Sequence, residues 1–186
     1  MKLSILICTL YERKSYFDAL VNSLIAQRFD SNEVEILYEI DNREITTGEK
    51  RNKLLERAKG KYSVFIDDDD EVPDYYIAEL LKAYESDTDC FDINGIMTTN
   101  GGNIKKFVHG RGLPYCADYS TGKEVYLRYP NHITPIRTEI AKQIKFPHIT
   151  IGEDYAWATK LRDSGLIKTS YLIEPTMYHY KFIDSK

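Results

Sequence analysis

Val64-Phe65-Ile66-Asp67-Asp68-Asp69-Asp70 joins a short apolar run to four consecutive carboxylates. The apolar half reads as a buried strand, and the acidic half sits at its carboxyl end. Adjacent carboxylates repel, so this is a poor ending for a buried strand. A divalent cation relieves the repulsion, and oxygen-rich acidic sites suit Mg²⁺, Mn²⁺ or Ca²⁺. Open α/β sheets bind ligands just beyond the carboxyl ends of their strands. An acidic run taken alone is more often a solvated loop, so the meaning of this one depends on its surroundings.

Working outward, Leu3 to Cys8 reads as another buried strand. Ser15 is placed to cap the next helix, with Asp18 three residues on, and Phe17, Leu20, Val21, Leu24 and Ile25 recur at helical spacing. Val34 to Ile40 is a second strand ending at Asp41-Asn42. A helix from Thr47 to Ala58 follows, closed by Gly60, and Tyr62 to Ile66 is the third strand. Pro73 stands at the favoured first position of a helix that carries Ile77, Leu80, Leu81 and Tyr84. This alternation predicts βαβ units and a parallel sheet with right-handed crossovers. No GxGxxG follows the first strand, which argues against a dinucleotide cofactor.

The second half reads differently. Phe91 to Thr98 and Ile104 to Val108 flank the turn Asn100-Gly101-Gly102-Asn103. Residues 109–131 are rich in Gly, Pro and Tyr without periodicity and read as a mobile acceptor-side loop. Short helices are expected over Thr138 to Ile144 and Asp154 to Arg162. A final pair of strands, Lys168 to Ile173 and Thr176 to Phe182, is expected around Glu174-Pro175. The fold class is therefore α/β: a Rossmann-like, mostly parallel sheet with helices on both faces and a small antiparallel element in the second half. Residues 1–186 form one domain of ordinary size, with a nucleotide-binding half at 1–100 and an acceptor-side half at 101–186.

Hydrophobic residues at 42% and charged residues at 29% fit a soluble globular chain. The net charge of -4 provides no global basic field and disfavours nucleic acid as a partner. Cys8, Cys90 and Cys116 are odd in number and widely spaced, which points to reduced thiols and a cytoplasmic setting. Tyr11-Glu12-Arg13-Lys14 after the first apolar run is no cleavage site, and no apolar stretch is long enough to span a bilayer.

In a parallel sheet Thr9 to Arg13, Asp41 and Asp67 to Asp70 share one edge, with Lys50 and Arg51 nearby. That edge offers a base-recognising acid, a phosphate-pairing cation and an acidic cluster, which suits a nucleoside diphosphate. Leu3 to Thr9, Tyr11-Glu12-Arg13, Ser23-Leu24-Ile25-Ala26-Gln27, Asp41-Asn42, Gly48 with Arg51-Asn52, Ala58 to Tyr62, Phe65 to Asp70 and Gly152-Glu153-Asp154 form an ordered set. With this spacing the chain resembles the family 2 glycosyltransferases of GT-A fold, from Leu3 to Asp154. Glu12 stands where that family often has asparagine.

The resemblance implies roles. Thr9, Tyr11 and Asp41 would hold the base and ribose of a UDP-sugar, with Glu12 and Arg13 on the same turn, and Arg51 would approach the pyrophosphate. Asp67 and Asp68 would face the donor's ribose or sugar. Asp69 would carry the divalent cation, Mn²⁺ or Mg²⁺, with Asp67 beside it and His179 completing the shell. Asp154 would be the general base, with Glu153 as the adjacent catalytic carboxylate. His109, His132 and His148 read as structural or acceptor-side residues, and Trp157 as core.

A sugar hydroxyl is a weak nucleophile that needs a base in the transition state. Asp154 can be that base, and a helix N-terminus favours a negative charge there. The expected reaction is transfer of a sugar from the nucleotide to a hydroxyl of a glycan, lipid-linked or other acceptor, with inversion. The rival readings are a catalytically degenerate module that binds a nucleotide or glycan, and a sugar nucleotidyltransferase. The second would need a glycine- and basic-rich loop after the first strand, which Thr9 to Lys14 does not supply.

Overall fold

A computed structural model describes residues 1–120, 122 and 124–183. The chain runs β1 (Leu3–Leu10), a one-turn 3-10 helix (Tyr11–Arg13), α1 (Lys14–Ile25), β2 (Val34–Asp41), α2 (Thr47–Arg57), β3 (Tyr62–Phe65) and α3 (Tyr76–Tyr84). It continues with β4 (Cys90–Thr99), β5 (Gly102–His109), β6 (Cys116–Asp118), β7 (Val125–Arg128), β8 (Ile136–Arg137), α4 (Thr138–Ala141), α5 (Glu153–Ser164) and β9 (Ser170–Phe182). One mixed sheet has the order β2-β1-β3-β8-β4-β5-β7-β6, with β9 also paired to β4. The first half is parallel as expected: β1 runs alongside both β2 and β3.

Side chains alternate across a strand, and β1 uses both faces. Leu3, Ile5 and Ile7 pack with Leu20 and Leu24 of α1 and Tyr76, Ile77 and Leu80 of α3. Leu6 turns the other way, into a core with Leu54 and Leu55 of α2, Ile140 of α4 and Trp157 and Leu161 of α5. Helices therefore cover both faces, and burial on both sides explains the unbroken apolar run of β1. The register Leu10↔Asp41 and Leu6↔Phe65 brings the carboxyl ends of β1, β2 and β3 to a common edge.

Several local expectations are corrected. α1 starts one residue before Ser15, with Arg13 in the capping position and no side-chain cap, while Asp18 pairs with Lys14 at 2.6 Å. Pro73 lies ahead of α3 in a turn whose carbonyl accepts from Tyr76 N. Gly60 does not close α2, which ends at Arg57 with Ala58 following in extended conformation. A Cβ on Gly60 would lie 2.4 Å from the Ser4 backbone nitrogen, so the glycine lets the chain pass close to β1.

The Asn100-Gly101 turn does join β4 and β5, with φ of 51° and 76° at the two central positions. Residues 109–131, expected as a loop, contain β6 and β7, and β7 pairs in parallel with β5. Thr121 and Lys123 of that stretch lie outside the described residues. The expected final strand pair is instead the single strand β9, parallel to β4 throughout. Its register jumps from Ile93↔Ile173 to Asn94↔Thr176, so Glu174-Pro175 forms a bulge. The three cysteines are unpaired.

Candidate active site at the strand ends

The edge is built from α2 and the three strand ends. Thr46 and Glu49 form a capping box that starts α2. The helix then buries three consecutive polar residues, Lys50, Arg51 and Asn52. Lys50 Nζ donates to the Thr9 carbonyl at 2.8 Å and pairs with Asp41 at the end of β2. Arg51 donates through one terminal nitrogen to Asp67 Oδ1 at 2.9 Å and through Nε to Glu153 Oε1 at 3.1 Å. Its guanidinium lies 4.9 Å from the centre of the Phe65 ring, and its other terminal nitrogen is buried without a partner. Asn52 exchanges two hydrogen bonds with the Phe146 backbone, which fixes the segment leading to α5.

The four aspartates divide by environment. Burial works to raise the Asp67 pKa, but its pairing with His132 and Arg51 outweighs burial and holds this carboxyl far below the usual carboxylate range. Asp68 is buried, accepting from Thr9 Oγ1 at 2.7 Å and from Arg13 at 2.5 Å. Asp69 is 39% exposed and pairs with Arg13 at 2.8 Å. Asp70 accepts from Tyr178 OH and Lys181 N, both at 2.8 Å. Burial and the nearby Asp67 charge push its pKa up to about 8. At Asp41 burial is outweighed by Lys50 and the Ile45 backbone N–H, so its pKa is lowered.

On the other side, Gly152 takes φ 80° immediately before α5, a left-handed conformation natural to glycine. Glu153 is turned inward onto Arg51, whereas Asp154 faces a cavity of about 360 Å³. His132 joins the two sides. Its Nε2 lies 3.1 Å from Asp67 Oδ2 and its Nδ1 lies 3.6 Å from Asp154 Oδ2. That Nδ1 is buried with no hydrogen-bond partner. The His132 carbonyl accepts from Phe65 N at 3.0 Å, which anchors the ring at the end of β3. A small notch of Leu10, Glu12, Asp41, Asn42 and Arg43 opens at the ends of β1 and β2.

The structure thus gathers Thr9, Arg13, Asp41, Arg51, Asp67, Asp68, Asp69, Glu153 and Asp154 around one edge. Tyr11 is exposed beside it, and Glu12 pairs with Arg43 at the notch. His179 is engaged elsewhere: its Nε2 lies 2.9 Å from Thr98 Oγ1 and its Nδ1 3.3 Å from Glu71. Among the described residues, no three His, Cys, Asp or Glu side chains form a metal cage. Asp69, the most exposed of the four aspartates, is the carboxylate that could hold a divalent ion at this edge.

Two participants are legible only in part from the sequence. His132, expected as a structural or acceptor-side residue, meets Asp67 and Asp154 only through the tertiary fold. Lys50, expected only as a cation near the edge, is 4% exposed and ties Asp41 to the Thr9 carbonyl. Trp157 is core as expected, stacked on Phe146 at 4.7 Å.

Residues 40–159 match the model of the family described as Glycosyl transferase family 2. No curated protein matches the chain. Three solved structures of S. aureus TarS 1–349 share its fold. The first has a TM-score of 0.67 at 20% identity, over 97% of this chain and 60% of that one. The complex with UDP-GlcNAc gives 0.68 at 18% identity over 100% and 60%, and the complex with UDP gives 0.66 at 19% over 97% and 60%. This chain accordingly spans 60% of the length of TarS 1–349. The likeness extends the α/β architecture expected from the strand order to a solved fold. With the family matched over residues 40–159, well over half of its length, the chain belongs to glycosyl transferase family 2.

Proposed function

We propose that this glycosyltransferase moves a sugar from a UDP-sugar to an acceptor hydroxyl in a divalent-cation-dependent, inverting reaction with Asp154 as general base. The observation that carries the reading is the His132 bridge, 3.1 Å from Asp67 and 3.6 Å from Asp154. It sets a donor-side carboxylate and an open acceptor-side carboxylate against one ring. The notch at Asp41 receives the uracil and ribose. Arg51 fixes Asp67 and Glu153 from beneath, and Asp69 offers the carboxylate for Mn²⁺ or Mg²⁺. The bound ion supplies neutralisation of charge on the leaving diphosphate. Asp154 takes the proton from the acceptor hydroxyl as the hydroxyl oxygen attacks the anomeric carbon.

Inversion is supported by the state of the other carboxylates. Among the described residues lining the cavity, Asp67 is held by Arg51 and His132, and Asp70 by Tyr178 and Lys181. Asp154, 3.6 Å from His132 Nδ1 but without a hydrogen bond to it, is the least engaged carboxylate of the cavity and the one left for base work, with no second such carboxylate for a covalent glycosyl intermediate. Asp154→Asn tests the assignment: transfer and donor hydrolysis should fall by about two to four orders of magnitude, while UDP-sugar affinity changes little. Near wild-type rates in the variant would remove Asp154 from the role. Wild-type protein that binds UDP-sugars tightly but never releases UDP from them would favour the binding-module reading.

A further inference from the structure

The cavity beside Asp154 is a slot with two different walls. One is a single face of α5, where Asp154, Tyr155, Ala158, Thr159 and Arg162 all line it. Eight residues separate Asp154 from Arg162, about 12 Å along a helix, which is longer than one pyranose ring. The other wall is the β5–β7 pair. Its register sets Phe107 beside Tyr126 and His109 beside Arg128, and all four line the cavity. Tyr115 meets Tyr155 edge to face at 5.4 Å. Aromatic rings on both walls suit stacking against sugar faces.

Arg128 gives the slot a charge preference. Its guanidinium lies 3.8 Å from the centre of the Tyr115 ring and 5.1 Å from that of Tyr126. One terminal nitrogen donates to the carbonyls of Cys116 and Leu127, both at 2.8 Å. Among the described residues it has no carboxylate partner, so three of its five N–H donors remain. A planar, pre-stacked guanidinium matches carboxylate and phosphate oxygens. Arg162 adds a second cation, with its Nε paired to Asp163 at 2.9 Å. Of the slot's other titratable groups, His109 is kept uncharged by burial, and Asp67 is paired with Arg51 and His132. Asp70 is hydrogen-bonded by Tyr178 and the Lys181 N–H, and Asp154 and His132 lie together at the end of the slot away from Arg162.

Resting on the reading of Asp154 as the base, we propose that this slot is the acceptor site and that it takes a glycan of more than one residue bearing an anionic group, carboxylate or phosphate, held by Arg128. Calorimetry with the full chain and two matched pairs of probes tests it: trigalacturonate against its methyl ester, and 6-phosphomaltotriose against maltotriose. At least one charged probe should bind about tenfold more tightly than its neutral counterpart, with an affinity that falls as salt rises. The pair that shows the preference tells carboxylate from phosphate. Arg128→Gln should erase the preference, and Arg162→Gln should reduce it, with melting temperature recorded for both. If Arg128→Gln does not fold, Arg162→Gln and the salt dependence decide. Neutral probes binding as tightly as charged ones, no binding in either pair, or a preference indifferent to salt and to the arginines would overturn the proposal. UDP affinity measured on the same samples separates the two readings. A charge preference without UDP binding removes the donor reading, and UDP binding without the preference removes only this one.

Discussion

The Arg51 guanidinium touches carboxylates from two separate parts of the chain, Asp67 after β3 and Glu153 at the start of α5. Both Arg51 and Glu153 are buried, so removing the cation strips Glu153 of its compensating charge and leaves Asp67 with His132 alone. Arg51→Met is expected to lower unfolding free energy by about 3–5 kcal/mol, measured by urea denaturation. A loss under about 1 kcal/mol, the scale of a surface pair, would mean that this pair does not organise the site. The acids themselves were legible in the sequence, because carboxylates after a buried strand are conspicuous. Their pairing was not. Asp68 looks open in sequence but is enclosed by Thr9 and Arg13, 59 and 55 residues away. The pairing of His132 was hidden for the same reason, since both of its acidic neighbours are remote along the chain.

Among the elements, α2 has the most tightly specified start. The capping box holds its first turn, and a Cβ on Gly48 would fall 1.9 Å from the Pro147 carbonyl oxygen. The Gly48 N–H also donates to the Ile149 carbonyl at 3.1 Å. Gly48→Ala must therefore displace the segment that leads into α5. It should destabilise the protein by about 1–3 kcal/mol, seen in the denaturation midpoint, and reduce turnover more than UDP affinity because Asp154 moves with α5. Unchanged stability and turnover would contradict this close approach. The helices and the first three strands were readable from periodicity. β9 was not: Glu174-Pro175 looks like a hairpin turn, but as a bulge it lets both halves pair with β4. The short strands β6 and β7 lack alternation long enough to detect, and β7 owes its place to β5.

For the whole molecule, two cores on opposite sheet faces hold one edge open to ligand, and no helix among the described residues is long and apolar enough to cross a membrane. Buried His109 couples that architecture to pH. Burial lowers its pKa from 6.5 to about 3, offset in part by Asn131. Between these values the unfolded chain binds a proton that the folded chain does not. The contribution of His109 to stability is therefore complete above pH 6.5 and is lost as pH falls toward 3. By pH 4.5 the loss should reach roughly 2–3 kcal/mol. Melting curves should show wild type losing more stability than His109→Gln between pH 7 and 4.5, and parallel losses would refute the assignment. Under the proposed function, a UDP-sugar and a divalent cation meet at Asp69 on the strand-end edge. Calorimetry of UDP binding to wild type and Asp69→Asn, each with Mn²⁺ and with chelator, addresses it most directly. Binding by wild type should need Mn²⁺, and the variant should fold normally yet lose the metal-supported part. Equal UDP affinity for the two proteins in Mn²⁺ would contradict it.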